Sequence, residues 1–212
     1  MADLEIIGAP QSTCVRAVRM ACEEKGVAYA LRPARPHSPE VDAIHPFGKV
    51  PVMRHGEFTL FESKAIATYI DRSFPGAKII PDDVVLCAKV EQWVSAFNTA
   101  VFPILMTYMR NYFFPSTADG QPDRAAIEGV LPEVQSRLSM LDKAVAETKH
   151  LVGHGFTYAD MNMLPALAYL RELPESGKTI AEAQNLRAYF KLHSERESFV
   201  NTIPPPFSEL RR

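Results

Sequence analysis

Strand signals stop near residue 76 of this 212-residue chain, and every later apolar pattern has the spacing of a helix. A chain divided in this way cannot extend one sheet from end to end; it must close a small mixed layer early and then build on helices alone. Leu4 to Gly8 reads as a short buried strand. After the turn Pro10-Gln11-Ser12, the residues Val15, Val18 and Cys22 recur at helical spacing until Gly26 supplies a stop. Tyr29 to Arg32 predicts a second strand, and the proline-broken stretch Pro33 to Pro46 a loop or short helix. Val50-Pro51-Val52-Met53 and Phe58-Thr59-Leu60-Phe61 flank His55-Gly56-Glu57 as a hairpin, with Gly56 free to take a positive φ at the turn. Ile66, Ile70 and Phe74 then mark a helix ending at Pro75-Gly76. The order β-α-β-loop-β-β-α predicts a small mixed sheet with helices packed on it.

The remainder is helical. Val90, Trp93, Phe97 and Val101 line one stripe, and Ile127, Leu131, Val134, Leu138, Leu141 and Val145 another. Pro103 is expected to kink or end the first of these helices, and Pro132 to set the start of the second, because proline is tolerated in a first turn. Thr157-Tyr158-Ala159-Asp160 resembles a capping box, with Asp for the usual Glu or Gln, ahead of Met161, Leu164, Leu167 and Leu170. Asn185 to Ser194 offers a last helix, and Pro204-Pro205-Pro206 an extended tail. The expected division is residues 1–76, a linker over 77–84, and an all-helical domain over 85–212.

A formal net charge of −2 and 47% hydrophobic residues describe an ordinary globular protein, and neither asks for a nucleic-acid partner. Cys14, Cys22 and Cys87 are odd in number and lack a C-x-x-C spacing, which suits a reducing compartment and suggests neither a disulfide framework nor a metal site. His150 and His154 are four apart, but Gly153 and Gly155 make a helical metal pair improbable there. The N-terminus lacks the basic region and long apolar stretch of a signal peptide, and no segment approaches the roughly 20 apolar residues of a membrane span. The expectation is a cytoplasmic protein with no membrane partner.

His45-Pro46-Phe47-Gly48-Lys49-Val50-Pro51 followed by Leu60-Phe61-Glu62-Ser63-Lys64-Ala65-Ile66 resembles two signatures of the glutathione S-transferases, Asn-Pro-Phe-Gly-x-Val-Pro and Phe-Glu-Ser-x-Ala-Ile. Phe156 to Pro165 is similar to the buried cap segment of that family's helical domain, so the likeness covers both halves. Pro10-x-Ser12-Thr13-Cys14-x-Arg16 looks most like the serine-type phi class, found in plants and bacterial relatives. The resemblance departs from the family at His45, where asparagine is usual, and in the segment Tyr189 to Ser198, which lacks the expected tryptophan and Arg-Pro pair. It implies an α+β thioredoxin-like N-terminal domain with a mixed four-stranded sheet, followed by the all-α domain carrying an electrophile site.

Ser12 stands where the first strand meets the first helix, so its hydroxyl and the helix N–H groups converge on one place. Read alone, it is an N-cap. Read with the resemblance, it stabilises the thiolate of bound glutathione, a cosubstrate rather than a cofactor, and the thiolate is the nucleophile. The resemblance further implies a cis Val50-Pro51 peptide whose Val50 backbone pairs with the cysteine of glutathione. It places Glu62 and Ser63 at the γ-glutamyl end, and Lys49 with His37 or Arg35 at the glycyl carboxylate. Cys14 is the rival centre, for mixed-disulfide chemistry, but its place inside the helix favours a packing role. The aromatic and methionine residues Phe102, Met106, Tyr108, Met109, Tyr112, Phe113 and Phe114 are expected mostly as helix core, some lining a pocket for an apolar electrophile. Phe47 resembles the aromatic key of family dimers, which implies a homodimer. The implied activity is conjugation of glutathione to apolar electrophiles. Isomerase, dehalogenase or peroxidase chemistry on the same fold, or non-catalytic ligand binding, stands as the alternative.

Overall fold

The first apolar run becomes β1 (Leu4–Ile7) in a computed structural model that describes residues 3–207. With β2 (Ala30–Arg32), β3 (Val52–His55) and β4 (Phe58–Phe61) it forms a four-stranded sheet in the order β2-β1-β3-β4. β1 runs parallel to β2, with Glu5 opposite Ala30, and antiparallel to β3, with Ile6 opposite Met53. The β3–β4 hairpin closes through Gly56 at φ 56°.

The two-residue period of the strands sorts the core onto two faces. Leu4, Ile6 and Met53 pack on one face against Val15 and Val18 of α1 (Thr13–Lys25) and Ile66 and Ile70 of α3 (Ser63–Ser73). Ile7 and Val52 point to the other face and meet Val41 of α2 (Pro39–Asp42), the short helix that the proline-broken stretch contains. Helix α1 stops where Gly26 turns left-handed at φ 66°, its N–H and that of Val27 taking the Glu23 and Cys22 carbonyls. The result is the expected mixed four-stranded sheet with helices.

Beyond it, the helices are α4 (Val84–Ala96), α5 (Phe102–Phe113), α6 (Arg124–Ala144), α7 (Tyr158–Arg171), α8 (Pro174–Glu182), α9 (Gln184–Ser194) and α10 (Glu197–Val200). Two proline expectations need correction. Pro103 does not end α4: that helix gives way at Ala96 to the wider π turn Phe97–Val101, and Pro103 falls in the first turn of α5 that follows. The Ala100 carbonyl, in the π turn, accepts from Arg137 at 3.0 Å. Pro132 does not start α6. That helix begins eight residues earlier, where the Asp123 carboxylate accepts the Ala126 N–H at 3.0 Å, and Pro132 sits inside it on the exposed side, where water can serve the unpaired carbonyl. Helix α8 carries no signal that the sequence reading used.

Two compact units result: residues up to Cys87 with those from Ser194 onward, and Ala88–His193. The expected 85–212 domain is therefore revised at its C-terminal end. The reason is a clasp on α1. Arg196 donates twice to Glu24 at 2.7 and 2.6 Å, and Arg16 donates to the Phe199 carbonyl at 3.0 Å while stacking on the Phe199 ring at 4.0 Å. Arg19 reaches the carbonyls of Thr202 and Asn201. Arg16 and Arg19 are buried on α1 and find their partners in the segment after Ser194, which completes the unit that holds α1.

Candidate functional site

Helix α1 begins with a serine whose bonding leaves its proton free. Ser12 is the N-cap, in extended conformation at φ −66° and ψ 127°, and its Oγ accepts the Val15 N–H at 3.4 Å. Accepting uses a lone pair, so the one hydroxyl proton can be donated outward at the positive end of the helix. Close backbone approach then brings in a second segment. A Cβ at Gly8 would lie 2.6 Å from Val15 Cγ2 and 3.0 Å from Val50 Cβ, so the end of β1, the first turn of α1 and Val50 meet only because residue 8 is glycine. Val50 enters this contact through a cis bond to Pro51, as the resemblance implies.

Helix α3 supplies the third segment. Its N-cap, Glu62, has φ 70° and ψ 116°, a region L-residues rarely adopt, and caps no N–H with its side chain. Ser63, the first helical residue, is buried and lies against Cys14 of α1. Burial pushes the Cys14 thiol above its ordinary value, outweighing hydrogen bonds with Thr13 and Ser63 and the charge of Lys49, so this cysteine is held protonated. A protonated thiol is a poor nucleophile, which weighs against Cys14 as the reactive centre. Ser63 and the charges of Glu62 and Lys49 thus all act on Cys14, two residues along the chain from Ser12.

The loop residues are less closely gathered. Lys49 and Arg35 are exposed. His37 takes a positive φ of 58°, stands 3.7 Å from the Asp42 carboxylate and packs over Gly48, where a Cβ would meet its Nδ1 at 2.1 Å. No contact joins His37 to Ser12 or Ser63 among those described. His45, where the resemblance expects asparagine, is 2% exposed, and its Nδ1 accepts the Phe47 N–H at 3.1 Å. A ring nitrogen thus does what an asparagine carbonyl would do two residues before the same N–H. Its other nitrogen faces Glu62 Oε1 at 3.8 Å. The sequence reading passed over this contact because it joins residues 17 positions apart through side chains alone.

In the helical unit, polar groups close on one another. The buried Asp160 accepts from the backbone of Leu151 at 2.9 Å and of Thr157 at 3.0 Å, and from the hydroxyls of Thr157 and Tyr189 at 3.1 and 3.2 Å. The capping box is therefore complete, and burial still raises the carboxyl above its ordinary value. Glu175 accepts from Tyr108 at 2.8 Å, from Tyr112, and from Arg124 at 2.7 Å. Burial opposes ionisation of Glu175, but these donors prevail and hold it down to about 2. Of the aromatic and methionine cluster, Tyr108 and Met109 are core, while Met106 and Phe114 are exposed. His150 Nδ1 donates to the Thr148 carbonyl at 2.8 Å, a turn contact. Among the described residues no group of three or more His, Cys, Asp or Glu side chains could hold a metal, and no helix is long and apolar enough to cross a membrane.

Comparison with known proteins gives one family throughout. Residues 6–78 match the family model of the glutathione S-transferase N-terminal domain, and residues 94–197 that of the C-terminal domain. A maize (Zea mays) protein named glutathione S-transferase 3 is 29% identical over 98% of this chain and 99% of its own. The crystal structure of glutathione transferase F7 from Populus trichocarpa superposes with a TM-score of 0.84 at 26% identity, covering 94% of this chain and 97% of that one. A glutathione S-transferase from Methylobacillus flagellatus, solved with GSH bound, gives 0.80 at 26% identity over 95% and 100%.

Proposed function

The chain belongs to the glutathione S-transferase family, and from that premise we propose that it conjugates glutathione to apolar electrophiles through a thiolate stabilised by Ser12. The observation that carries the proposal is the bonding of Ser12: its oxygen is engaged by the Val15 N–H, and its proton is left to donate at the N-terminus of α1. Free thiols titrate near pH 8.5, about 8.5 being the ordinary value, and a hydrogen bond plus a helix N-terminus favours the anion. Glutathione lies extended along Val50, whose backbone pairs with its cysteine like an added strand. Ser63 and the first N–H groups of α3 hold the γ-glutamyl carboxylate, and Glu62 pairs with the ammonium group beside it. Lys49, with His37 or Arg35 as a second partner, takes the glycyl carboxylate.

The reaction needs no resident cofactor in this scheme. The thiolate forms a C–S bond to the electrophilic carbon, the leaving group departs with the bonding pair, and Ser12 neither gains nor loses a covalent bond. The serine at the α1 start places the chain with the phi-like members. The helical unit supplies the residues that hold the electrophile. Three unpaired thiols suit the cytoplasm, and Phe47, 66% exposed, suits a twofold dimer contact. Retention on immobilised glutathione, elution by free glutathione, and turnover of a chlorinated nitrobenzene test the reading. Retention with a rate that collapses in Ser12→Ala supports it. Equal rates in the two proteins, at equal glutathione binding, would refute the role of Ser12.

A further inference from the structure

His45 is wholly inside the first unit, yet one face of it touches the site. Phe61 packs on its ring at 4.7 Å between centroids and Phe47 edge-on at 6.0 Å, so the imidazole cannot swing. Its Nδ1 is the acceptor of the Phe47 N–H, which assigns the ring proton of the neutral imidazole to Nε2. That N–H is the atom 3.8 Å from Glu62 Oε1, too long for a hydrogen bond but within electrostatic reach. Glu62 needs such a neighbour. Its side chain is 64% exposed, caps nothing, and issues from a backbone held at positive φ, so no other described contact fixes where its carboxylate points.

We propose that His45 is a positioning residue of the glutathione site, aiming the Glu62 carboxylate at the ammonium group of the γ-glutamyl end. The inference rests on the reading above that Glu62 pairs with that ammonium. A fixed N–H donor narrows the rotamers of an exposed glutamate before ligand arrives, which lowers the ordering cost of binding. Being a neutral donor, it leaves the carboxylate charge available for the ammonium. Asparagine at this position would preserve the Phe47 bond and lack the reach to Glu62, so the histidine adds an arm to a loop either residue can hold.

That distinction supplies the test. His45→Asn keeps the loop acceptor and removes the N–H arm. Calorimetry with glutathione and with its deamino analogue, glutaryl-cysteinyl-glycine, reads the ammonium interaction directly. The proposal expects His45→Asn to bind glutathione about 3-fold to 10-fold more weakly, with its affinity for the deamino analogue unchanged; Tm falls because the smaller side chain leaves space beside Phe61, but that loss weakens neither ligand selectively. It expects the double variant with Glu62→Gln to be no worse than Glu62→Gln alone. An unchanged preference for glutathione over the analogue in His45→Asn, or full additivity in the double variant, would overturn it. A parent protein indifferent to the ammonium would overturn the assignment of Glu62 itself and this proposal with it, while retention and Ser12-dependent turnover would still stand. If His45→Asn does not fold, the parent decides: the His45 Nε2 nitrogen resonance should move on adding glutathione and stay on adding the analogue. Equal shifts with both would refute the proposal.

Discussion

The N-termini of α3 and α7 are built from similar residues to opposite ends. Helix α7 opens on Thr157 with Asp160 in its first turn, and the carboxylate turns inward, fully buried, to accept four hydrogen bonds from its own unit. Helix α3 opens on Glu62, whose carboxylate turns outward, caps nothing and sits on a backbone at φ 70°. The first arrangement spends its acceptors on the fold; the second leaves them unspent, as the proposed glutathione site requires. The α7 start satisfies itself and serves the fold, whereas the α3 start stays open and strained, which is the state the proposed binding role calls for.

Removing each carboxylate breaks the comparison most sharply. Asp160→Ala strands the Leu151 and Thr157 N–H groups and the Tyr189 hydroxyl in a dry interior, and the loss should reach about 3 kcal/mol or more. Urea unfolding would show it as a lower midpoint at an unchanged slope, with the glutathione affinity of the folded fraction intact. Glu62→Gly should do the reverse. Glycine tolerates the positive φ, so the relieved strain, about 1 kcal/mol, should leave Tm unchanged or raised while glutathione binding weakens roughly 10-fold. A drop in Tm with binding intact would contradict the distinction between the two termini.

A smaller effect sharpens it. Glu175 is a second inward carboxylate of the helical unit, 19% exposed and held down to about 2 from an ordinary 4.5. A carboxyl with a lowered folded-state pKa contributes stability that is present above 4.5 and is lost as pH falls toward 2. The stability difference between the parent and Glu175→Gln, measured by denaturant titration at several pH values, should therefore shrink across that window. A constant difference would mean the Tyr108, Tyr112 and Arg124 contacts do not act through the charge. Glutathione affinity at neutral pH should change little, because no part of the cluster belongs to the glutathione unit.

How much of this was legible in the sequence follows the range of the interactions. The α7 cap, the Gly26 stop and the Gly56 turn are each decided within a few residues, and local chemistry predicts them. Ser12, Glu62 and Ser63 were legible as helix starts by the same logic, while their part in a glutathione site is what the resemblance implies. Pro132 misled because proline's cost depends on exposure, which the sequence does not state; on the solvent side of α6 it is tolerated. The π turn escaped because a stripe through Val90, Phe97 and Val101 looks the same with one residue more in the turn. The grip of Arg196 on Glu24, that of Arg16 on Phe199, the Cys14–Ser63 contact and the approach of His45 to Glu62 all join distant positions, and no local pattern carries them.

The central claim concerns the start of α1, where a serine that caps its own helix still has a proton to give. Ultraviolet titration of the thiol of glutathione bound to the parent and to Ser12→Ala measures that directly. The account predicts a midpoint for the parent well below the roughly 8.5 of a free thiol, and a return toward that value, by about one to two units, in Ser12→Ala. Coincident midpoints in the two proteins, with glutathione bound in both, would contradict it.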